Sequence, residues 1–416
     1  MYLRSLSPYL FFFCWIVLAI FPYVYKTNYL YEPLLIYFSG IALYYAYHAF
    51  TSYHLPFYLK VVFAFVCFLC LYGGMLIFLG DDVIWLTAGR NVRKYLYILW
   101  LIPCLLSVFP VYVFTCRGQL SEKGMKILFF IFLATSIYGF YGALKEQMLY
   151  AAMMRTGQEE YTITAVYSFL SLLPLIVLFK RNHFLQFVLL GVMFFYFVLS
   201  AKRGAIILGS ITSILMIFSM LSNASNKKKM VVLLMVLFFT IIVYVFVNHQ
   251  LESSVYFSAR LDQTMEGNTS RREQYLKNIL DYYFNKTTLV QFFTGIGAQG
   301  TLSVNESFAH NDWVAILLEQ GVFGALFYLL YWISFVYTWI KSKVNRDSFV
   351  VIGLLMIVGF GKSLFSVYYL PISMEMMMSS GYFAIALGYF LGTAYPQYED
   401  ESSDSQEDEL LEETEP

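Results

Sequence analysis

Long apolar stretches separated by short polar segments make up most of the chain. A helix that crosses a bilayer needs roughly 20 apolar residues, and about twelve stretches approach that length. They lie near residues 8–25, 30–50, 56–79, 95–115, 127–144, 164–179, 184–200, 204–221, 230–247, 314–340, 349–364 and 372–391. The pattern predicts an all-α, polytopic integral membrane protein with about twelve transmembrane helices and one long outer-face loop.

The composition agrees with a membrane protein. Hydrophobic residues make up 59% of the chain and charged residues only 13%, whereas soluble domains carry about 25% charged residues. The formal net charge is zero, so the chain as a whole has no basic signal for nucleic acid. We therefore expect the lipid bilayer, and not nucleic acid, as its surroundings.

The distribution of Lys and Arg predicts the orientation. Basic groups recur on alternate loops, at residues 117–126, 180–181, 227–229 and 341–346. Since short cytoplasmic loops are rich in Lys and Arg, these loops and both termini are predicted to face the cytoplasm. Residues 248–308 then form a long polar loop on the outer face.

This orientation divides the chain into five regions. Residues 1–200 hold the N-terminal transmembrane helices, and residues 201–247 hold the mid-chain ones. Residues 248–312 form an outer-face catalytic loop, followed by C-terminal transmembrane helices over residues 313–394. Residues 395–416 are dense in Asp and Glu, which predicts a disordered cytoplasmic tail.

One histidine is placed where the outer loop meets a helix. The turn Gly295-Ile296-Gly297 leads to Ala309-His310-Asn311-Asp312, where an apolar helical pattern begins. A helix N-terminus has free N–H groups and a positive dipole end, which would keep a histidine neutral and fit to act as a general base. The alternative is a helix-capping or interfacial histidine. We expect the first two turns to follow the interface and the helix to enter the bilayer at Gly321 or Gly324.

Several cations lie on the predicted outer face, where membrane insertion disfavours them. Lys202 and Arg203 occupy a tight turn, and Arg260, Arg271 and Arg272 lie in the long loop. The planar fork of Arg binds phosphate oxygens in pairs, and Lys acts as a point charge. These residues therefore predict an anionic ligand, against the alternatives of snorkelling side chains or a solvated helix face.

The arginines of the loop adjoin a helical pattern. Tyr275, Ile279, Tyr282 and Tyr283 are spaced so that they can share one helix face. No metal-ligand spacing, Walker loop or nucleotide fingerprint is visible in the sequence.

The order of these segments resembles the O-antigen polymerase and O-antigen ligase superfamily of bacterial envelope proteins. The resemblance covers about residues 200–331 and rests on Ser200-Ala-Lys-Arg203-Gly-Ala, Ser270-Arg271-Arg272-Glu273-Gln274-Tyr275, Thr294-Gly295-Ile296-Gly297, Ala309-His310-Asn311 and Glu319-Gln320-Gly321. In one departure, the tandem Arg271-Arg272 replaces a Gly-Arg pair. This leaves open which arginine is equivalent, and the distance to Tyr275 favours Arg271.

The resemblance implies metal-independent glycosyl transfer, without a cofactor, at the outer face of the bacterial plasma membrane. The donor would be a glycan on undecaprenyl pyrophosphate, and a flippase and a chain-length regulator of the same pathway would be partners. It assigns catalysis to His310, Arg203 and Arg271. Substrate binding would fall to Lys202, Arg260, Arg272, Tyr275, Gly295, Gly297, Asn311 and Glu319.

Three functions remain open at this point. A polysaccharide polymerase, which joins lipid-linked repeat units, is favoured. A ligase, which transfers glycan to lipid A core, shares the same motifs. A flippase or transporter belongs to a different class; transporters carry charges at the midplane and matching broken helices, whereas the charges here crowd the predicted outer face.

Overall fold

The computed structural model describes most of the chain. The described residues are 8–18, 31–78, 83–85, 91–93, 101–154, 163–223, 225–253, 258, 262, 272–305, 309–366, 368 and 374–395. Arg260, Arg271 and residues 396–416, on which predictions were made, lie outside the described residues.

Each of the twelve predicted apolar segments overlaps a helix, although parts of these segments, such as residues 19–25 and 95–100, lie outside the described residues. Helices form nearly all of the described chain. They are α1 (Pro8–Leu18), α2 (Tyr31–Ser52), α3 (Phe57–Phe78), α4 (Leu101–Cys116), α5 (Glu122–Met154), α6 (Val166–Leu172, extended by a 3-10 helix over Leu173–Phe179), α7 (His183–Leu199), α8 (Arg203–Asn223), α9 (Asn226–Ser253), α10 (Arg272–Lys286), α11 (Leu289–Thr294), α12 (Gly300–Asn305), α13 (Asp312–Lys341, followed by a 3-10 turn, Ser342–Val344), α14 (Arg346–Phe365) and α15 (Met374–Ala394).

Six of these helices are long and apolar enough to cross a membrane. They are Phe57–Phe78, Glu122–Lys145, Arg203–Ser222, Lys228–Ser253, Asp312–Val344 and Arg346–Phe365. The chain therefore has the helices of a membrane protein, and the full count of about twelve crossings stays a prediction.

Two local features differ from the sequence-based expectation. Val83–Trp85 and Asn91–Arg93 pair as short antiparallel strands β1 and β2, the only strands among the described residues. The described part of the long loop, residues 272–305, holds α10, which the spacing predicted, and also α11 and α12, which it did not. In α10, Ile279 and Tyr283 are buried, which confirms the predicted helix face.

Glycines allow two of the core helices to approach closely. A Cβ at Gly388 would lie 2.6 Å from the Val108 carbonyl oxygen, and one at Gly392 would lie 2.6 Å from Thr115 Cβ. These glycines are four residues apart on α15, in the spacing that lets helices pack backbone to backbone within a bilayer. The core of the bundle is thus built around α15 against α4.

Hydrogen bonds also fix α3 against α13. Near the start of α3, the Tyr58 amide donates to Thr338 Oγ1 (3.1 Å) and the Tyr58 hydroxyl donates to Tyr331 (2.8 Å). Near its end, the Tyr72 hydroxyl donates to the Glu319 carbonyl oxygen. The two helices are therefore antiparallel, and α3 supports the segment of α13 that builds the candidate site.

The basic loops meet at one end of the bundle, which we call the basic end. The Lys180 ammonium pairs with Asp347, Lys126 lies 5.8 Å from the centre of the Phe179 ring, and Arg346 Nη2 donates to Ser222 Oγ (3.1 Å). Helices α7, α8 and α14 run from this end to the opposite one, where Lys202 and His310 lie. With 21 residues in α8, the ends are about 30 Å apart. Which end faces the cytoplasm stays a prediction.

Candidate functional site

The glycine turn caps a broken helix. Helix α13 is interrupted at Gly321, whose backbone is non-helical (φ 67°, ψ −163°). The last carbonyls before the break accept hydrogen bonds from the turn, Leu318 from the Ile296 amide (2.9 Å) and Glu319 from the Gly297 amide (3.1 Å). The turn thus satisfies backbone groups that a helix end leaves unpaired, and the expectation that the helix enters the bilayer at Gly321 or Gly324 stays a prediction.

The backbones of Gly295 and Gly321 lie against each other. A Cβ at Gly295 would overlap the peptide between Glu319 and Gln320, and one at Gly321 would overlap the Phe293 carbonyl. Both residues also have positive φ, 78° and 67°, which glycine adopts without strain. The glycines therefore build the frame of the site, and substrate contact by Gly295 and Gly297 stays a prediction.

Glu319 is buried inside this frame. Its side chain is 2% exposed, and Oε1 accepts from Thr301 Oγ1 (3.2 Å) and the Thr301 amide (3.5 Å). These bonds hold α12 against the first half of α13. In the structure Glu319 holds α12 in place beside the glycine turn. The prediction that it binds substrate is not tested by these contacts.

His310 lies just before α13, outside its first turn. The helix is capped by Asn311, whose Oδ1 accepts from the Val314 amide (3.2 Å), and His310 has a left-handed backbone (φ 51°). Burial lowers the pKa of His310 to about 4, with contributions from the positive charges of Arg272 and Lys202. The imidazole is therefore neutral near pH 7, as expected, and the causes that the structure shows are burial and two cations.

The end of α14 brings Arg272 and Asn311 together. Arg272 Nη1 donates to the Phe365 carbonyl (2.8 Å), and Asn311 Nδ2 donates to the Leu364 carbonyl (3.3 Å). These carbonyls belong to the last turn of α14, whose partners a helix does not supply itself. Through these bonds α10 and the start of α13 converge on one helix end, with Arg272 close enough to act on the charge of His310.

Lys202 approaches from the turn between α7 and α8. Ala201 adopts a left-handed backbone (φ 49°), the Lys202 amide donates to Ser200 Oγ (3.2 Å), and α8 begins at Arg203. Lys202 also acts electrostatically on His310. The structure therefore brings together Lys202, Arg272 and His310, with Arg203 adjacent to Lys202 in the chain.

Tyr275 is half-buried on α10, and its carbonyl accepts from Asn305 Nδ2 (3.0 Å). This bond joins α10 to the end of α12. The prediction that the Tyr275 side chain binds substrate is not tested by it.

A buried charged pair beneath the site was not predicted. Asp312 is 1% exposed, and its Oδ2 accepts from the Tyr368 amide (2.8 Å) and the Tyr328 hydroxyl (3.3 Å). Lys362 is also 1% exposed; its ammonium donates to Ser379 Oγ (3.0 Å), lies 5.7 Å from the centre of the Tyr368 ring and interacts with the charge of Asp312. Lys362 is the one basic residue within the apolar run 349–364, and an ionisable residue inside such a run is itself a signal of function.

The arrangement combines positive charge with a neutral base. Arg272 and Lys202 can attract an anion, and the imidazole of His310 can accept a proton beside it. Within the part of the chain that the structure describes, no three His, Cys, Asp or Glu side chains are grouped so that they could hold a metal ion.

No model of a known protein family matches the chain, and no curated protein matches it. The function is therefore argued from the site itself together with the motif residues quoted above.

Proposed function

We propose that the protein is a membrane glycosyltransferase that polymerises oligosaccharide repeat units carried on undecaprenyl pyrophosphate. The product would be an O-antigen, capsular or exopolysaccharide made at the outer face of the bacterial plasma membrane. The observation that carries the proposal is a neutral, half-buried His310 beside Arg272 and Lys202, at one end of a bundle of apolar helices.

A lipid-linked pyrophosphate suits this place in the molecule. Its polyprenyl chain needs an apolar environment, and its two phosphates need positive charge. Arg272 is held by the Phe365 carbonyl, so its guanidinium is oriented before the donor arrives, and preorganised charge of this kind is the main source of transition-state stabilisation. Arg203 and Arg271 complete the anion site in this proposal, as the motif resemblance implies.

The proposed reaction requires one base and no acid. The acceptor hydroxyl oxygen forms a bond to C1 of the donor sugar, and the bond from C1 to the pyrophosphate oxygen breaks. The leaving pyrophosphate takes the electron pair, and the hydroxyl proton passes to His310. A pyrophosphate is a good leaving group once its charge is neutralised, so cations and not a proton donor are what the leaving side needs.

The decisive test compares two substitutions of His310. His310→Ala and His310→Gln should both lower polymer formation by about 10²–10⁴-fold, because general-base catalysis is typically worth that much and glutamine cannot take a proton. The measurement is the rate and length of polymer made by purified protein from lipid-linked repeat units. His249→Ala, at the same end of the bundle, is the control. Native turnover by the Gln variant would exclude His310 as the base. If the unsubstituted protein transferred glycan only to lipid A core and made no polymer, the ligase would be favoured.

The same assay, run at different pH values, tests a prediction from the pKa of His310. With a pKa of about 4, about nine tenths of His310 is neutral at pH 5, so kcat/KM should show no acid limb from this group between pH 5 and pH 8. In the enzyme–substrate complex, the negative charge of the bound pyrophosphate offsets the positive charges of Arg272 and Lys202. The pKa of His310 should therefore rise, and the acid limb of kcat should lie at higher pH than that of kcat/KM. An acid limb in kcat/KM centred near pH 6.5 would contradict the lowered pKa of a desolvated His310.

A further inference from the structure

A cavity of about 440 Å³ lies at the basic end, opposite the His310 site. Helices α7, α8, α9 and α14 and the end of the 3-10 helix after α6 contribute to its walls. The charged and titratable residues that line it are Lys180, His183, Lys228, Arg346 and Asp347. The proposed glycosyl transfer makes no use of this cavity.

The charge of the cavity is positive. Three cationic side chains face one carboxylate, and that carboxylate, Asp347, is paired with Lys180. Arg346 is oriented by a hydrogen bond from Nη2 to Ser222 Oγ (3.1 Å). The pairing of Asp347 with Lys180 leaves the charges of Lys228 and Arg346 to attract an anion.

His183 adds an oriented ring nitrogen. Gln186 is 2% exposed and its Nε2 donates to the Ile176 carbonyl (3.1 Å), so its Oε1 is the acceptor for His183 Nδ1 (3.0 Å). This arrangement assigns the proton of the neutral ring to Nδ1 and leaves Nε2 as a hydrogen-bond acceptor, which can meet a hydroxyl group of a ligand but not a phosphate oxygen.

Apolar groups also line the cavity. Val177, Met216 and Met220 belong to the cavity wall, and only 6% of the apolar window of α9 is buried within the protein. A ligand with a charged head and an apolar body can therefore place its head among the cations and its body along α9. Basic pockets between membrane-spanning helices bind phosphorylated lipid headgroups for the same reason.

We propose that this cavity binds a phosphate ester, supplied by the headgroup of an anionic phospholipid. The apolar wall and the exposed face of α9 favour a lipid over a free phosphate compound. The site is separate from the His310 centre and does not depend on the reaction performed there.

Lipid binding to the purified full chain in neutral detergent tests the proposal. We expect native mass spectrometry to detect one tightly bound phosphatidylglycerol and no comparable binding of phosphatidylcholine. Lys228→Gln and Arg346→Gln should each weaken phosphatidylglycerol binding roughly fivefold, the effect of one cation near an anionic headgroup. Lys341→Gln, on the same end but outside the cavity lining, and Lys202→Gln, at the other end, are controls that should keep the affinity.

The outcomes separate the alternatives. Equal binding of the two lipids, or unchanged affinity in both cavity variants, would overturn the proposal. Displacement of phosphatidylglycerol by inorganic phosphate at the same concentration would reject the lipid as the source. A loss of affinity in Lys202→Gln alone would place the lipid at the His310 site. Lys228→Gln keeps the test valid if Arg346→Gln, which removes the contact to Ser222, fails to fold.

Discussion

Lys362 and Asp312 illustrate what a buried charge requires. Each residue is almost fully enclosed, and taking an ion out of water costs several kcal/mol even after the protein relaxes. The cost is offset here by the bonds from Tyr368 and Tyr328 to Asp312, the bond from Lys362 to Ser379, and the attraction between the two charges. Because Asp312 directly follows the helix cap, the pair also anchors the start of α13 below His310.

The pair predicts a non-additive response to substitution. Lys362→Met should destabilise the protein by about 3–5 kcal/mol, because it leaves the Asp312 carboxylate buried without its counter-charge. Lys362→Met combined with Asp312→Asn should recover much of that loss. Thermal unfolding of the purified variants in one detergent measures the interaction. Strictly additive losses would show that the two charges are independent.

At this scale, sequence reasoning found His310 and the surrounding cations but not the reason for the low pKa. Lys202 and Arg272 are distant from His310 in the chain, so their approach depends on the packing of α8, α10 and α14. The prediction attributed the neutral form to the helix terminus, whereas in the structure burial and the charges of Arg272 and Lys202 lower the pKa of His310. Lys362 was overlooked because the apolar run 349–364 was assigned as a membrane span by its length, and the one charged residue near its end was not considered.

At the scale of elements, the break in α13 controls the shape of the site. The first half of the helix, residues 312–320, ends against the glycine turn, and the second half continues along α3 toward the basic end. A helix that continued through Gly321 would satisfy its own carbonyls, and the turn would lose its two hydrogen-bond acceptors.

From the break in α13 we predict that Gly321→Ala lowers both stability and polymer formation. The new Cβ would overlap the Phe293 carbonyl, and the positive φ would strain any L residue. Gly74→Ala on α3 is the matched control, since nothing lies within 4 Å of its added Cβ and alanine favours a helix by about 0.5–1 kcal/mol. Thermal unfolding and the polymer assay measure both. Wild-type behaviour of Gly321→Ala would mean that the close backbone contact between Gly321 and the glycine turn is not needed.

Most elements could be predicted from hydropathy, because an apolar run of membrane length has few alternatives to a helix. The length of the run suggested an interfacial start with entry into the bilayer at Gly321 or Gly324, but the break in the helix at Gly321 was not predicted. Helices α11 and α12 were not predicted either, since six residues are too short for a periodic pattern. Their positions come from tertiary bonds, such as those of Thr301 to Glu319.

At the scale of the molecule, two ends of different chemistry face opposite directions. The basic end gathers Lys180, Lys228 and Arg346, and the other end carries His310 with Arg272. The positive-inside rule had grouped these residues on the same two sides from loop positions alone. The sequence could not show how the groups within each end contact one another.

This arrangement predicts opposite accessibility of two introduced cysteines. In a variant lacking the five native cysteines, Ser303→Cys at the site end should react with a membrane-impermeant thiol reagent in intact cells, and Val344→Cys at the basic end should not. Both positions are exposed in the protein, Val344 by 91%. Both should react after the cells are opened, which controls for folding. Labelling of only Val344→Cys in intact cells would reverse the orientation.

The backbone interlock between the glycine turn and the broken helix also constrains protein engineering. A chimera that exchanges the loop over residues 248–308 must transplant residues 291–297 and 318–321 together as one cassette. A donor loop that brings the turn without its partner carbonyls takes away the acceptors of the Ile296 and Gly297 amides. The half-helix without its cap takes the Ile296 donor from the Leu318 carbonyl and leaves the Glu319 carbonyl with the Tyr72 hydroxyl as its donor. New specificity is therefore better sought by changing side chains within this cassette than by joining loops at its boundaries.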